Sequence, residues 1–123
     1  MKRKSRSIRS CSLQPRFRVL CGSDVALGPG KAELLALIGQ TGSINRAAKE
    51  MGMSYMRAWS LVQMMNRCFQ QPLVLAAHGG RGGGGAELTK TGRRVLALYR
   101  QMETKSAKAT RATWNKMQSL LKS

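Results

Sequence analysis

The side chains best equipped for chemistry in this chain are hydrogen-bond donors and cations. Between Ser54 and Gln71 one segment carries Ser54, Tyr55, Met56, Arg57, Ser60 and Gln63 on a polar edge, interleaved with the apolar positions Ala58, Leu61, Val62, Met65 and Phe69. A guanidinium such as Arg57 donates two parallel hydrogen bonds to a guanine edge, and an amide such as Gln63 pairs with adenine. Upstream, Ser43, Asn45 and Arg46 open a shorter segment, where the free amides of a helix N-terminus suit a phosphate. For Ser43 a plain N-cap is an equally good reading. Downstream, Gly79 to Gly85 (GGRGGGG) sets six glycines around Arg81. Glycines such as Gly82 and Gly83 let backbone amides approach a sugar-phosphate edge, and Arg81 suits a narrow minor groove. Lys90, Arg93 and Arg94 add cations just beyond. Trp59 stands beside the apolar stripe and is expected in the core.

Catalysis and metal binding lack material. His78 is the single histidine, and the acids Asp24, Glu33, Glu50, Glu87 and Glu103 are widely dispersed. No nucleophile elbow or P-loop appears. The spacing Gly80-x-Gly82-x-x-Gly85 matches a dinucleotide fingerprint, but a strand and not a helix is expected to follow it. Cys11, Cys21 and Cys68 are odd in number and far apart, so neither a disulfide framework nor a zinc site is expected. Cys68 is expected in the core. No enzyme activity and no cofactor is expected.

Charge points to the partner. The chain of 123 residues has 22 Lys and Arg against 5 Asp and Glu, a net charge of +17. Residues 1–20 hold seven basic groups and residues 105–123 hold five, with no acid in either stretch. Such a field favours polyanions, meaning nucleic acid or an anionic membrane surface. No apolar run approaches the roughly 18 residues of a membrane span, and the first ten residues lack the apolar stretch of a secretory signal. A cytoplasmic protein without a membrane is the expectation.

The elements that must position these groups follow from spacing. Residues 1–13 read as a flexible basic arm, residues 14–104 as one domain and residues 105–123 as a helical extension. Arg16 to Cys21 alternates as a short strand would. Pro29 suits a first helical turn, and Leu34, Leu37, Ile38 and Thr41 mark one helical face that Gly42 ends. Ser43 caps a short helix bearing Ile44, Ala47, Ala48 and Met51, and Gly52 ends it. Ser54 caps a third helix as far as Gln71, before Pro72. Leu73 to Ala77 and Ala86 to Leu88 read as a hairpin around the glycine run. Thr89 or Thr91 caps a last helix from residue 91 to 121, about 46 Å long. Its stripes, Val95, Leu98, Tyr99 and Met102, then Thr110, Trp114, Met117 and Leu121, exceed what a small globule covers. Leu98, Met102, Trp114, Met117 and Leu121 are therefore expected to meet a second copy of the chain. The fold class is mainly α with a small β-hairpin: a winged helix-turn-helix with a long C-terminal helix. Ala48 where two helices approach, Gly52 in the turn, and Ala47, Met51, Met53, Ala58 and Leu61 as wedges fit that template.

Gly42 to Lys49 (GSINRAAK), Met53 to Trp59 (MSYMRAW), His78 to Thr89 (HGGRGGGGAELT) and Gly92 carry a resemblance. From about Gly28 to Met102 the chain resembles the N-terminal DNA-binding domain of the ModE-type molybdenum-dependent transcriptional regulators, which share the winged helix of the LysR regulators. The resemblance implies a dimeric protein that turns Ser43, Arg46, Ser54, Tyr55, Arg57 and the residues around Arg81 toward DNA. Members of that family also carry C-terminal molybdate-binding modules, which this sequence does not contain. The resulting expectation is a homodimeric, sequence-specific regulator on double-stranded DNA without its own molybdate sensor. The rival readings are a nonspecific nucleoid or RNA-binding protein and a molybdate-binding protein.

Overall fold

The computed structural model describes residues 10–77 and 85–122. The chain divides into two compact units. One is Arg16–Arg100, and the other joins Met1–Pro15 with Gln101–Ser123. The division falls inside the last helix, slightly before the residue-104 boundary expected above.

The unit Arg16–Arg100 opens on an antiparallel hairpin, β1 (Val19–Cys21) with β2 (Asp24–Leu27). The first strand occupies only the second half of the expected Arg16–Cys21 stretch, and its three residues are all exposed rather than alternately buried. Its partner was not legible in the sequence, because β2 is short and two-faced in burial: Ala26 and Leu27 are buried and Asp24 is exposed. Gly22 makes the turn at φ 63°, a left-handed conformation that glycine adopts without strain. Helices α1 (Pro29–Thr41), α2 (Ile44–Met51) and α3 (Tyr55–Cys68) follow. Gly42 and Gly52 end the first two at φ 70° and 72°. The α2–turn–α3 pair buries Ala47, Ala48 and Ala58, all essentially inaccessible. Small side chains there let the helix backbones approach. Strands β3 (Val74–Ala77) and β4 (Gly85–Leu88) pair antiparallel, Val74 opposite Leu88 and Ala77 opposite Gly85. The arrangement is a winged helix-turn-helix. The loop that joins the two strands, including His78, Arg81, Gly82 and Gly83, lies outside the described residues, as does the arm as far as residue 9.

Helix α4 (Lys90–Gln118) is 29 residues long, about 43 Å at 1.5 Å per residue. It begins one residue before the expected start and stops before residue 121. The chain tightens into i+3 turns there, with the Leu120 amide donating to the Met117 carbonyl at 2.9 Å. Leu121 therefore lies beyond the helix and not on its stripe. Of the two threonines considered as caps, Thr89 serves: its hydroxyl accepts the Gly92 amide at 2.9 Å.

Leu27, Leu34, Leu35, Ile38, Val62, Met65, Leu73 and Tyr99 are the largest buried side chains of this unit. Among the described residues no charged side chain is buried with them. Tyr99 is amphipathic, and its hydroxyl donates to the Phe17 carbonyl at 2.8 Å. α3 ends at Cys68, three residues short of the sequence expectation. Pro72 disfavours helical geometry at Gln71, and Phe69 is already extended at φ −107° and ψ 158°. Asn66, in the last turn, reaches across to β3. Its Oδ1 accepts the Leu73 and Val74 amides at 2.8 and 3.2 Å, and its Nδ2 donates to the Val74 carbonyl at 3.0 Å. Leu73 is held from the other side as well. Its carbonyl accepts the Thr89 amide at 2.9 Å, and Gly92 packs against it so closely that an added Cβ would stand 2.2 Å from that oxygen.

Backbone cannot retreat as a side chain can. Gly92→Ala is therefore expected to cost about 1–3 kcal/mol of stability by overpacking, read as a lower urea midpoint with an unchanged denaturant slope. Alanine's better helix propensity would by itself raise the midpoint, so a rise would contradict the packing at Leu73.

Candidate nucleic-acid interface

The exposed surface of α3 resolves into three stripes, because residues four apart stand above one another on a helix. Tyr55, Trp59 and Gln63 border a groove of about 210 Å³, whose far wall is Val74, Leu75 and Ala76 with Gly85 and Ala86. Met56 and Ser60 form the outermost stripe, and Met56 is 66% exposed. Arg57 and Leu61 border a second cleft of about 350 Å³ with Arg18, Gly28 to Lys31, Met51 and Met53. The buried stripe opposite is Ala58, Val62 and Met65. The helix is thus anchored by that buried stripe, with Leu61 and Phe69 packed beside it, and presents its leading turn outward.

Both short helices begin on serine caps. Ser43 Oγ accepts the Arg46 amide at 3.1 Å, and Ser54 Oγ accepts the Arg57 amide at 3.1 Å. Each cap satisfies one of the free N–H groups of its first turn and leaves others outward. Ser43 itself is half-buried, and its backbone is tied to Thr41: the Thr41 hydroxyl donates to the Ser43 carbonyl at 3.0 Å. Asn45, Arg46, Ser54, Tyr55, Met56, Arg57 and Ser60 are exposed, as the sequence reading required. Lys90 and Arg93 are exposed at the start of α4, although Arg93 already donates through Nη1 to the Leu88 carbonyl at 3.0 Å. Leu98 and Met102 are exposed, Met117 likewise, and Trp114 is half-buried.

Two expectations change. Trp59 is 43% exposed and does not belong to the core. One residue separates it from Ala58, but a rotation of 100° carries it out of the buried stripe and onto the groove. Gln63 is half-buried in that same groove and is set back behind Tyr55 and Trp59, less free to protrude than Arg57. Sequence reasoning also passed over two cations. Arg18 and Lys31 border the cleft beside Arg57, although neither lies within 25 positions of it in the chain, and no local pattern signals the meeting. The Lys31 ammonium donates to the Val25 carbonyl and to Met64 Sδ at 3.4 Å. Desolvation holds it below the usual lysine range, with Cys68 and Asp24 opposing that shift and Arg57 adding to it. Among the described residues no group of three His, Cys, Asp or Glu side chains converges as metal ligands would. Among them, too, no helix is long and apolar enough to cross a membrane.

A serine that only caps should tolerate glycine far better than alanine. Ser54→Ala is expected to cost about 1 kcal/mol of stability and Ser54→Gly a few tenths, measured by denaturant titration. Equal losses would show that the hydroxyl is not acting as the cap.

Residues 31–93 match the family described as the bacterial regulatory helix-turn-helix protein, lysR family. The chain is 47% identical over 90 residues to the molybdenum-pterin-binding protein MopB of Rhodobacter capsulatus, a stretch covering 73% of this chain and 33% of MopB. It is 45% identical over 71 residues to the DNA-binding transcriptional dual regulator ModE of Escherichia coli K12, covering 58% of this chain and 27% of that protein. It thus spans no more than about a third of these relatives' length. Among solved structures it is similar in fold to the CbnR_DBD–DNA complex, with a TM-score of 0.56 at 17% identity, over 72% of this chain and 95% of that one.

Proposed function

Because the chain belongs to the lysR family of bacterial regulatory helix-turn-helix proteins, we propose that it is a transcriptional regulator that binds double-stranded DNA as a homodimer. One observation carries the proposal. Arg57 is exposed in the first turn of α3, while the opposite stripe of that helix is buried. A helix held in this way enters a major groove with its N-terminal residues at the base edges. Arg57 and Tyr55 read bases. Ser43, Asn45, Arg46, Ser54, Lys90 and Arg93 hold phosphates. Met56 and Ser60 lie against the bases of the major groove, with Gln63 set back behind Tyr55 and Trp59, and Arg81, Gly82 and Gly83 act as the wing tip. Arg18 and Lys31 reinforce the positive field beside Arg57. The serine caps add a positive helix end at each phosphate-facing turn.

Dimerisation through Leu98, Met102, Trp114 and Met117 of α4, with Leu121 just past its end, sets two reading helices about 34 Å apart, one turn of DNA. The names of the relatives refer to molybdenum, and the matched stretch covers 33% of MopB and 27% of ModE. A DNA-binding role fits a cytoplasmic location. The charge of +17 favours a second reading, a nonspecific architectural protein on DNA or RNA.

Selection of bound sequences from random duplex DNA separates the two. A regulator recovers an inverted repeat and prefers it over bulk DNA on the order of a thousand-fold. Arg57→Ala then costs about 1–3 kcal/mol at its cognate site and relaxes the choice of one base pair. Uniform weakening on every sequence, with no repeat recovered, would select the architectural reading.

A further inference from the structure

The leading end of α3 carries large apolar side chains on a face that hydrogen-bonding groups would otherwise fill. Tyr55 and Trp59 are 45% and 43% exposed, and Met56 is 66% exposed. All three stand in the first two turns, rimmed by the exposed polar residues Ser54, Arg57 and Ser60. Single apolar residues are normal on a surface, but a contiguous group with a polar rim marks a contact. Tyr55 and Trp59 line the groove against β3 and β4. Met56 lines neither that groove nor the cleft beside Arg57. It shares the outermost stripe with Ser60. The buried residues that anchor the helix are Ala58, Val62 and Met65, so packing of α3 does not account for a long apolar side chain at position 56.

We propose that Met56 recognises thymine by packing on its C5-methyl group in the major groove, with Tyr55 and Trp59 beside it shielding the contact from water. The proposal rests on the DNA-reading role given above and adds which base feature α3 reads. A thioether carries no N–H or O–H, and its sulfur is a weak acceptor. In the major groove guanine presents acceptors, cytosine a donor and adenine one of each, while thymine presents an acceptor beside a methyl group. Thymine alone offers an apolar surface there. Any other base under Met56 would have a polar edge stripped of water and left without a partner. Discrimination therefore combines attraction to the methyl with a penalty on the rival bases. Methionine is unbranched and adapts its torsions to the position of the methyl. Met56 and Arg57 are consecutive residues, so the thymine lies at or beside the base pair that Arg57 reads.

The test uses the full chain and a duplex recovered by selection, with each thymine in turn replaced by uracil. Uracil removes the methyl and keeps every hydrogen-bonding group of the base. At one position in a half-site the exchange is expected to weaken binding about fourfold, the effect of one buried carbon, and about fifteenfold when both half-sites carry it. At that position 5-methylcytosine should bind more tightly than cytosine. Met56→Gln should abolish the preference for thymine over uracil, and Met56→Leu should retain it. The uracil scan of the unaltered protein needs no variant, so it decides even where a substitution unsettles the fold. Equal affinity for thymine and uracil at every position of a preferred duplex would overturn the proposal and leave the regulatory reading standing. A thymine preference that persists undiminished in Met56→Gln would do the same. Recovery of no preferred duplex would end both.

Discussion

The backbone of Leu73 is the joint on which this structure turns. Its amide is held by Asn66 of α3, its carbonyl by the Thr89 amide ahead of α4, and its peptide plane lies against Gly92. Three elements are thereby fixed to one residue by directional bonds and by a contact too close for any side chain. A buried peptide group without these partners would cost on the order of 1–3 kcal/mol. The joint also explains why β3 begins where it does and why α4 starts at residue 90. Through it the wing strands and the exposed stripes of α3 keep a set relation, although only hydrophobic contacts line the interior between them.

The remaining design is a division of labour within α3. Ala58, Val62 and Met65 anchor it. Leu61 and Phe69 pack beside them, half-buried, and the exposed positions of the first turns are Tyr55, Met56, Arg57, Trp59 and Ser60. Hydrophobic burial is non-directional and sets only the roll of the helix. Position along its axis comes from the cap at Ser54 and the clamp at Asn66, one at each end. The cations follow no such plan. Arg57, Arg18 and Lys31 meet at one cleft because three unrelated elements end there, and the partial desolvation of Lys31 reflects that crowding.

Much of this was legible in the residues. Helix starts at Pro29, Ser43 and Ser54, and left-handed stops at Gly42 and Gly52, are local events with local signatures. The apolar stripes identified the buried faces of α1, α2 and α3. The misreadings share a cause. Trp59 was placed in the core because it adjoins the stripe in sequence, yet adjacency along a helix is a rotation away from burial. Cys68 was placed there for a similar reason and lies half-buried. β2 was missed because a four-residue strand with one exposed acid carries no periodicity to detect. The end of α3 was set too late because Asn66, which draws the chain toward β3, bonds to residues seven and eight positions ahead.

The amino-acid sequence by itself determined where helices begin and stop, which faces are apolar, and that the chain is strongly cationic. These depend on neighbours within a turn or two, or on composition alone. Tertiary structure decided which distant groups became neighbours: Arg18 and Lys31 with Arg57, and Gly92 with Leu73. Those meetings depend on how the hairpin and helices close over one core, and no short-range pattern of residues encodes a distance between elements that touch only after folding.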